Sequence, residues 1–278
     1  MDISQLSDDE FHALRNIMYE ASGVKLLVTK KPLVISRLRK RLKELEIDNF
    51  KDYLEMIDKP HSKEMEIFIN AITTNETFFY RHPEHFYFLT KTIFPSLLER
   101  EETSGKPELK VWSAGCSTGE EPYSVAIACK EFFKNHPQWN IIIYAADINS
   151  AVLDFCRKGV YSERSVERMP QYLRKQYFDV VETDTSYKGQ QFYLHRDIVH
   201  SVKFLQHNLL TTFPIGNFDI IFLRNVMIYF DRASKQKVVS LIERNLIQGG
   251  YFFTSMAESL HDIRSHLRFV YTGIYQKE

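Results

Sequence analysis

From about Leu109 onward the chain keeps to one grammar, an apolar strand-like run followed by a helix-like run. LKVWSA, NIIIYAADI, FDIIFLRNV and YFFTSM are the strand-like pieces; EEPYSVAIACKEFF, SAVLDFCRKG and KQKVVSLIERNLI are the helix-like ones. A strand covered on both faces is apolar at consecutive positions, and strands joined by helical crossovers run parallel. The alternation predicts an α/β domain built on a mostly parallel, Rossmann-like sheet with helices on both faces. Gly249-Gly250 reads as a turn before YFFTSM. Between about Phe178 and Asn208, FDVV, QFYLHRDIV and SVKFLQH follow one another without an intervening helix, which predicts a small antiparallel β insert.

The first 72 residues read differently. Ser7-Asp8-Asp9-Glu10 has the form of a capping box, and Phe11, Leu14, Ile17 and Met18 follow at helical spacing. Gly23 is a stop signal, Pro32 suits the first turn of a second helix, and Asp48 and Ser62 are caps for two more. Short helices with short connections predict a small bundle. The expected organisation is therefore a helical domain over 1–72, a linker or lid over 73–88, and an α/β domain over 89–278 with its insert at about 178–208.

Lys+Arg and Asp+Glu both total 36, so the whole molecule is not an electrostatic trap for nucleic acid. Cys116, Cys129 and Cys156 are odd in number and lack the paired spacing of a zinc site, so no metal is expected. The opening MDISQLSDDEF has neither a basic nor an apolar signal region, and no run reaches membrane-spanning length. A cytoplasmic protein without membrane insertion is expected.

The sharpest chemical signal is VWSAGCSTGEEPYS, residues 111 to 124. A strand runs into Gly115, where backbone can approach a ligand closely, and a helix opens at Glu120-Glu121-Pro122. A pyrophosphate wants a bare helix N-terminus, and two acids there repel it. They welcome a cation instead. Asp147 closes the next strand, where doubly wound folds place an acid against ribose hydroxyls. A nucleoside with a cationic tail, as in S-adenosylmethionine, satisfies both positions. The same residues also admit a plainer reading, with Glu120 and Glu121 stabilising a helix end and Asp147 capping the following helix.

Taken with TTNETFFYR (residues 73 to 81), AADIN, HNLL, LRNVMIYFD and LIQGGYFF, that loop resembles the CheR family of chemotaxis receptor methyltransferases. The matching pieces run from the N-terminal helices to near the C-terminus. The resemblance implies a class I methyltransferase domain. The implied activity is transfer of a methyl group from S-adenosylmethionine to receptor glutamates, with S-adenosylhomocysteine as product. It further implies that Asn75, Thr77, Arg81, Glu121, Asp147, Asn208, Leu209, Arg224 and Asn225 line the cofactor site. TTNETFFYR becomes a lid whose polar residues face the cofactor while its aromatics pack the junction. Tyr80 stands where the family has a second phenylalanine, and Ser255-Met256-Ala257-Glu258 where it often has Gly-His-Ser-Glu.

A glutamate is already ionised near neutral pH, so methyl transfer to it requires alignment and exclusion of water rather than a general base. Arg81, a fork that matches a carboxylate, is the first choice for orienting the acceptor. Tyr229, just past a strand end, either contacts the acceptor or is simply a satisfied, partly buried tyrosine.

From Ala21 to Lys43 the chain has no acid, and Arg37, Lys40 and Arg41 share one helical neighbourhood. Such a run is either a solvated face or a docking face for an acidic partner. The resemblance supplies the partner, the methylation helices of transmembrane chemoreceptors. Some family members grip a receptor tether through a glycine-rich loop in the insert, whereas this chain has only Gly189 in TDTSYKGQQ. The alternatives are a nucleic-acid methyltransferase and a non-catalytic S-adenosylmethionine-binding sensor or adaptor.

Overall fold

A computed structural model describes residues 5–58, 62–105, 107–182 and 189–278. The N-terminal bundle begins with α1 (Asp8–Ser22), whose Ser7 and Glu10 form a reciprocal capping box, and Gly23 ends it in the left-handed region at φ 73°. Helix α2 (Lys31–Glu44) carries Pro32 in its first turn. Helix α3 (Phe50–Ile57) is capped by Asn49, not by Asp48, and α4 (Lys63–Ile72) by Ser62. Their apolar faces, among them Leu14, Met18, Leu38, Leu42 and Phe68, close a core of their own.

Two of the basic residues of α2 turn inward. Arg37 Nη1 donates to the carbonyls of Ala71, Ile72 and Thr73 at 3.3, 2.6 and 2.8 Å, satisfying the acceptors that the end of α4 leaves open. Arg41 grips the buried Glu64 through two bonds of 2.8 and 2.6 Å. Both are committed to the bundle, which corrects their expected place on an outward face. The reason is that each meets acceptors that burial would otherwise leave unpaired. Lys40 is exposed and only 3.8 Å from Glu44.

Beyond the bundle, α5 (Pro83–Phe88) continues through a wider turn at Leu89–Ile93 into α6 (Phe94–Ser104). Then follow β1 (Glu108–Ala114), α7 (Glu120–Phe133), β2 (Asn140–Asp147) and α8 (Ser150–Lys158). Strand β3 (Val160–Ser162), α9 (Glu163–Val166), α10 (Gln171–Tyr177), β4 (Phe178–Glu182) and β5 (Gln190–Leu194) come next. The chain closes with α11 (Arg196–His200), β6 (Val202–Gln206), β7 (Phe218–Phe222), α12 (Arg232–Asn245), β8 (Leu246–Phe253), β9 (Leu267–Tyr271) and β10 (Ile274–Lys277).

Seven strands form one sheet in the order β6-β2-β1-β7-β8-β10-β9. The first five pair in parallel, and β10 is antiparallel to both β8 and β9. Strand β7 is buried at every residue, as its apolar run predicts. The order of connection reverses at β1, so the ends of β1 and β7 make the switch point where such sheets bind ligands.

The separate three-stranded sheet, β3-β5-β4, is the expected antiparallel insert with different limits. SVKFLQ is not part of it: β6 pairs in parallel with β2, and HRDIV supplies the helix α11 before it. A strand's partner is decided by long-range pairing, which the local pattern does not encode. The insert instead takes β3 from before α10. The TDTSYK part of its loop, 183–188, lies outside the described residues. Gly249-Gly250 is not a turn either. It lies inside β8 where the register against β7 shifts, a bulge that lets the strand run on to Phe253. Among the described residues no helix is long and apolar enough to cross a membrane.

Candidate cofactor and acceptor cleft

The carboxyl ends of β1, β2, β6 and β7 open into a cleft of about 640 Å³, closed on its other side by the bundle and residues 73–81. Asn75, Thr77, Arg81, Gly115, Glu121, Asp147, Asn208, Leu209, Arg224, Asn225 and Tyr229 all line it. Arg37, Lys40 and Arg41 do not.

The floor is the loop after β1. Gly115 has φ 69°, and a Cβ there would sit 2.7 Å from Val226 Cγ2, so only glycine lets the two loops approach. Gly115 and Cys116 donate their amides to the Ala146 carbonyl at 2.7 and 3.0 Å. Asp147 then fixes the loop: Oδ2 accepts the Ser117 amide at 2.8 Å and Oδ1 the Asn149 amide at 2.9 Å. Burial pushes its carboxyl group up, and the backbone donors pull it back down. Asp147 is not the cap of α8; Asn149 is.

The two acids at the start of α7 part company. Glu120 turns away from the cleft, accepting the Thr118 hydroxyl at 2.6 Å. Glu121 lines the cleft, takes the Ser113 hydroxyl at 2.7 Å, and lies 3.3 Å from Arg224 Nη1. Burial raises the pKa of Glu121 and lowers that of Arg224, while their mutual attraction opposes both shifts. Arg224 also donates to the Arg81 carbonyl, tying the β7 loop to the lid. Among the described residues its Nε and the Asn225 Oδ1 are buried without a partner, hydrogen-bonding capacity left for a ligand. Cys116, also on the floor, is buried and its thiol is pushed up by that burial, in keeping with a structural role.

Residues 73–81 cross the cleft as a strap. Ser117 Oγ donates to the Asn75 carbonyl at 3.0 Å. Tyr80 and His82 have φ 55° and 61°, left-handed conformations that cost about 1–3 kcal/mol each and swing Arg81 between them to the cleft side. Arg81 Nη1 donates to the Glu76 carbonyl at 3.0 Å, and the guanidinium lies 5.5 Å from the Phe78 ring centre. Phe79 points the other way, fully buried edge-on to Tyr161 and Phe178 of the insert.

The bundle contributes more than the sequence indicated. Val24 bridges Phe230, and Lys25 donates its amide to the Tyr229 carbonyl at 2.8 Å. Asn208 Nδ2 reaches the Ala21 carbonyl at 2.7 Å. Lys25, Leu27 and Lys30 thereby join the wall, as do Phe78 and Ser117. Their only sequence signal was position, beside a charged run, in the lid and in the glycine loop.

The cleft thus pairs acidic groups suited to a cationic nucleoside with free donor and acceptor capacity at Arg224 and Asn225. Residues 75–275 match the family model described as CheR methyltransferase, SAM binding domain, and residues 9–73 match CheR methyltransferase, all-alpha domain. The chemotaxis protein methyltransferase of Borreliella burgdorferi is 33% identical, covering 98% of this chain and 95% of its own. Chemotaxis protein methyltransferase 2 of Pseudomonas aeruginosa is 34% identical over 95% of this chain and 92% of its own. The Escherichia coli chemotaxis protein methyltransferase is 33% identical over 96% and 90%. The chain belongs to the CheR family of S-adenosylmethionine-dependent methyltransferases.

Proposed function

We propose that this protein transfers the methyl group of S-adenosylmethionine to glutamate side chains of chemoreceptors, forming methyl esters. The observation that carries this reading is the convergence of Arg81 and Tyr229 with the cofactor-type groups in one cleft. The names of the relatives, chemotaxis protein methyltransferases, support the acceptor class.

The bound cofactor supplies an electrophilic methyl on a sulfonium centre. Asp147 would accept from the ribose, Glu121 would offer its charge to the cationic tail, and Gly115 would let backbone come close. Asn75, Thr77, Asn208, Leu209, Arg224 and Asn225 complete that site. Arg81 swings from Glu76 to align the acceptor carboxylate, which arrives ionised, so no residue acts as a base. Holding acceptor and donor in line can supply roughly 7–11 kcal/mol. Phe78 and the strap exclude water, which removes the carboxylate's hydration shell. Tyr229 borders the same space and contacts the acceptor.

The two family models meet between residues 73 and 75, which supports the end of a helical domain over 1–72. A lid over 73–88 and a methyltransferase domain over 89–278 belong to the same proposal, their mutual boundary falling within the helical run from α5 into α6. A cytoplasmic location, with the cytoplasmic methylation helices as partner, follows from the same reading. With Arg37 and Arg41 engaged inside the bundle, Lys40 is the member of that group left to meet an acidic acceptor. The test is incubation with cytoplasmic fragments of chemoreceptors and cofactor, followed by mass spectrometry. A mass increment of one methyl group on glutamate is expected; increments confined to other residue types overturn the reading.

A further inference from the structure

The wall that carries Arg224, Asn225 and Tyr229 has little regular pairing of its own. Past the end of β7, Leu223 still donates to the Phe253 carbonyl at 2.8 Å. The chain then leaves the sheet: Asn225 has φ 60°, and Met227–Tyr229 makes a single tight turn. Such a segment keeps a fixed shape only if its inward-facing amides find acceptors, since an unpaired buried N–H is costly.

They find one side chain. Asn225 donates its amide to Glu258 Oε2 at 2.8 Å, and Ile228 donates to Oε1 at 3.2 Å. The Ser255 amide adds a further bond to Oε2 at 2.9 Å. Glu258 is 6% exposed, so these bonds are shielded from competing water. Glu258 is itself held from the sheet. Just past β8, Thr254 donates its amide to the Gly273 carbonyl at 2.8 Å and its hydroxyl to the Glu258 carbonyl at 2.9 Å. The constraint continues outward, because Lys25 of the bundle docks on the Tyr229 carbonyl.

We propose that Glu258 is a positioning residue: its carboxylate staples the 223–229 wall to the end of β8 and so presets Arg224 and Asn225 for the cofactor before it binds. This rests on the assignment of Arg224 and Asn225 to the cofactor site. An acceptor-only group is required, since three amides converge on two oxygens. Glutamine fills the same space but turns an NH2 group toward an amide N–H at one of the two positions. Alanine removes every acceptor.

The experiment is calorimetric titration of S-adenosylhomocysteine into the parent, Glu258→Gln, Glu258→Ala and Arg224→Ala, well below each melting midpoint. Loss of one charge-assisted bond predicts an affinity about tenfold weaker for Glu258→Gln, and weaker still for Glu258→Ala. Affinity within about twofold of the parent in a folded Glu258→Gln overturns the proposal, because a carboxylate that only stabilised the fold would leave binding intact. Amide hydrogen exchange in the unsubstituted, cofactor-free protein tests the staple without any variant. Slow exchange at Asn225 and Ile228 is expected; exchange as fast as in exposed loops overturns it even if neither variant folds. Undiminished binding by Arg224→Ala, with those amides still protected, instead overturns the cofactor-site assignment and with it the presetting role.

Discussion

Arg224 lies 3.3 Å from Glu121 at the base of the cleft, with side chains only 2% and 13% exposed. Neither charge is at ease there, and each is tolerated because the other is present. Glu121→Ala leaves the guanidinium buried without its nearest counter-charge. A loss of about 3–5 kcal/mol of stability is expected by chemical denaturation, together with weaker S-adenosylhomocysteine binding. A loss below about 1 kcal/mol would show that solvent screens the pair far more than its burial implies.

Arg41 and Lys40 are neighbours in sequence with opposite commitments. Arg41→Ala strands Glu64, which is 7% exposed, and should cost about 3–5 kcal/mol in the unfolding free energy. Lys40→Glu, at an exposed position, should stay within about 0.5 kcal/mol of the parent and raise the KM for the receptor. Equal stability losses for the two variants would contradict this division.

Phe79→Ala opens a cavity between the strap, Tyr161 and Phe178. A destabilisation of about 3–5 kcal/mol is expected. Limited proteolysis should show faster cleavage within the insert, since its β3 and β4 each supply one of those rings. Cleavage at the parental rate would mean the insert does not depend on the strap.

His85, with burial the main cause and Arg224 the next, has its pKa lowered from 6.5 to about 3; burial likewise lowers His82 to about 4. In the unfolded chain both recover a value of about 6.5. The unfolded state therefore binds more protons below that pH, and stability present above it is lost as pH falls toward 4 and then 3. The slope approaches about 1.4 kcal/mol per pH unit for His85 and is smaller for the half-buried His82. Glu121 and Asp147, whose pKa values are raised, act in the opposite sense. Urea titrations between about pH 7 and pH 5 should show a shallower decline for His85→Gln than for the parent. Parallel declines would mean that His85 takes up its proton as readily in the folded state as in the unfolded chain.

Local chemistry carried much of the reading from sequence. The helix at Glu120–Phe133 spans the stretch EEPYSVAIACKEFF and opens on its acids and Pro122, and the capping box at Ser7 is formed as written. What the sequence left open were choices made between distant segments. Val202–Gln206 has the same pattern whether it pairs within the insert or beside β2. Gly249-Gly250 reads as a turn until the register against β7 makes it a bulge. Arg37 and Arg41 look like free surface charge until α4 brings them Ile72 and Glu64. Asp147 was legible as an acid at a strand end facing the cleft, but its grip on the Ser117 amide depends on how close two loops come.

The most direct measurement is transfer of radiolabelled methyl from S-adenosylmethionine to receptor-containing membranes, followed by mild alkali. Counts released as methanol are predicted, since a carboxyl methyl ester is the alkali-labile product of methylating a glutamate. Tight cofactor binding with no labelling across a panel of chemoreceptors, or label that resists alkali, would contradict glutamate methylation as the activity of this cleft.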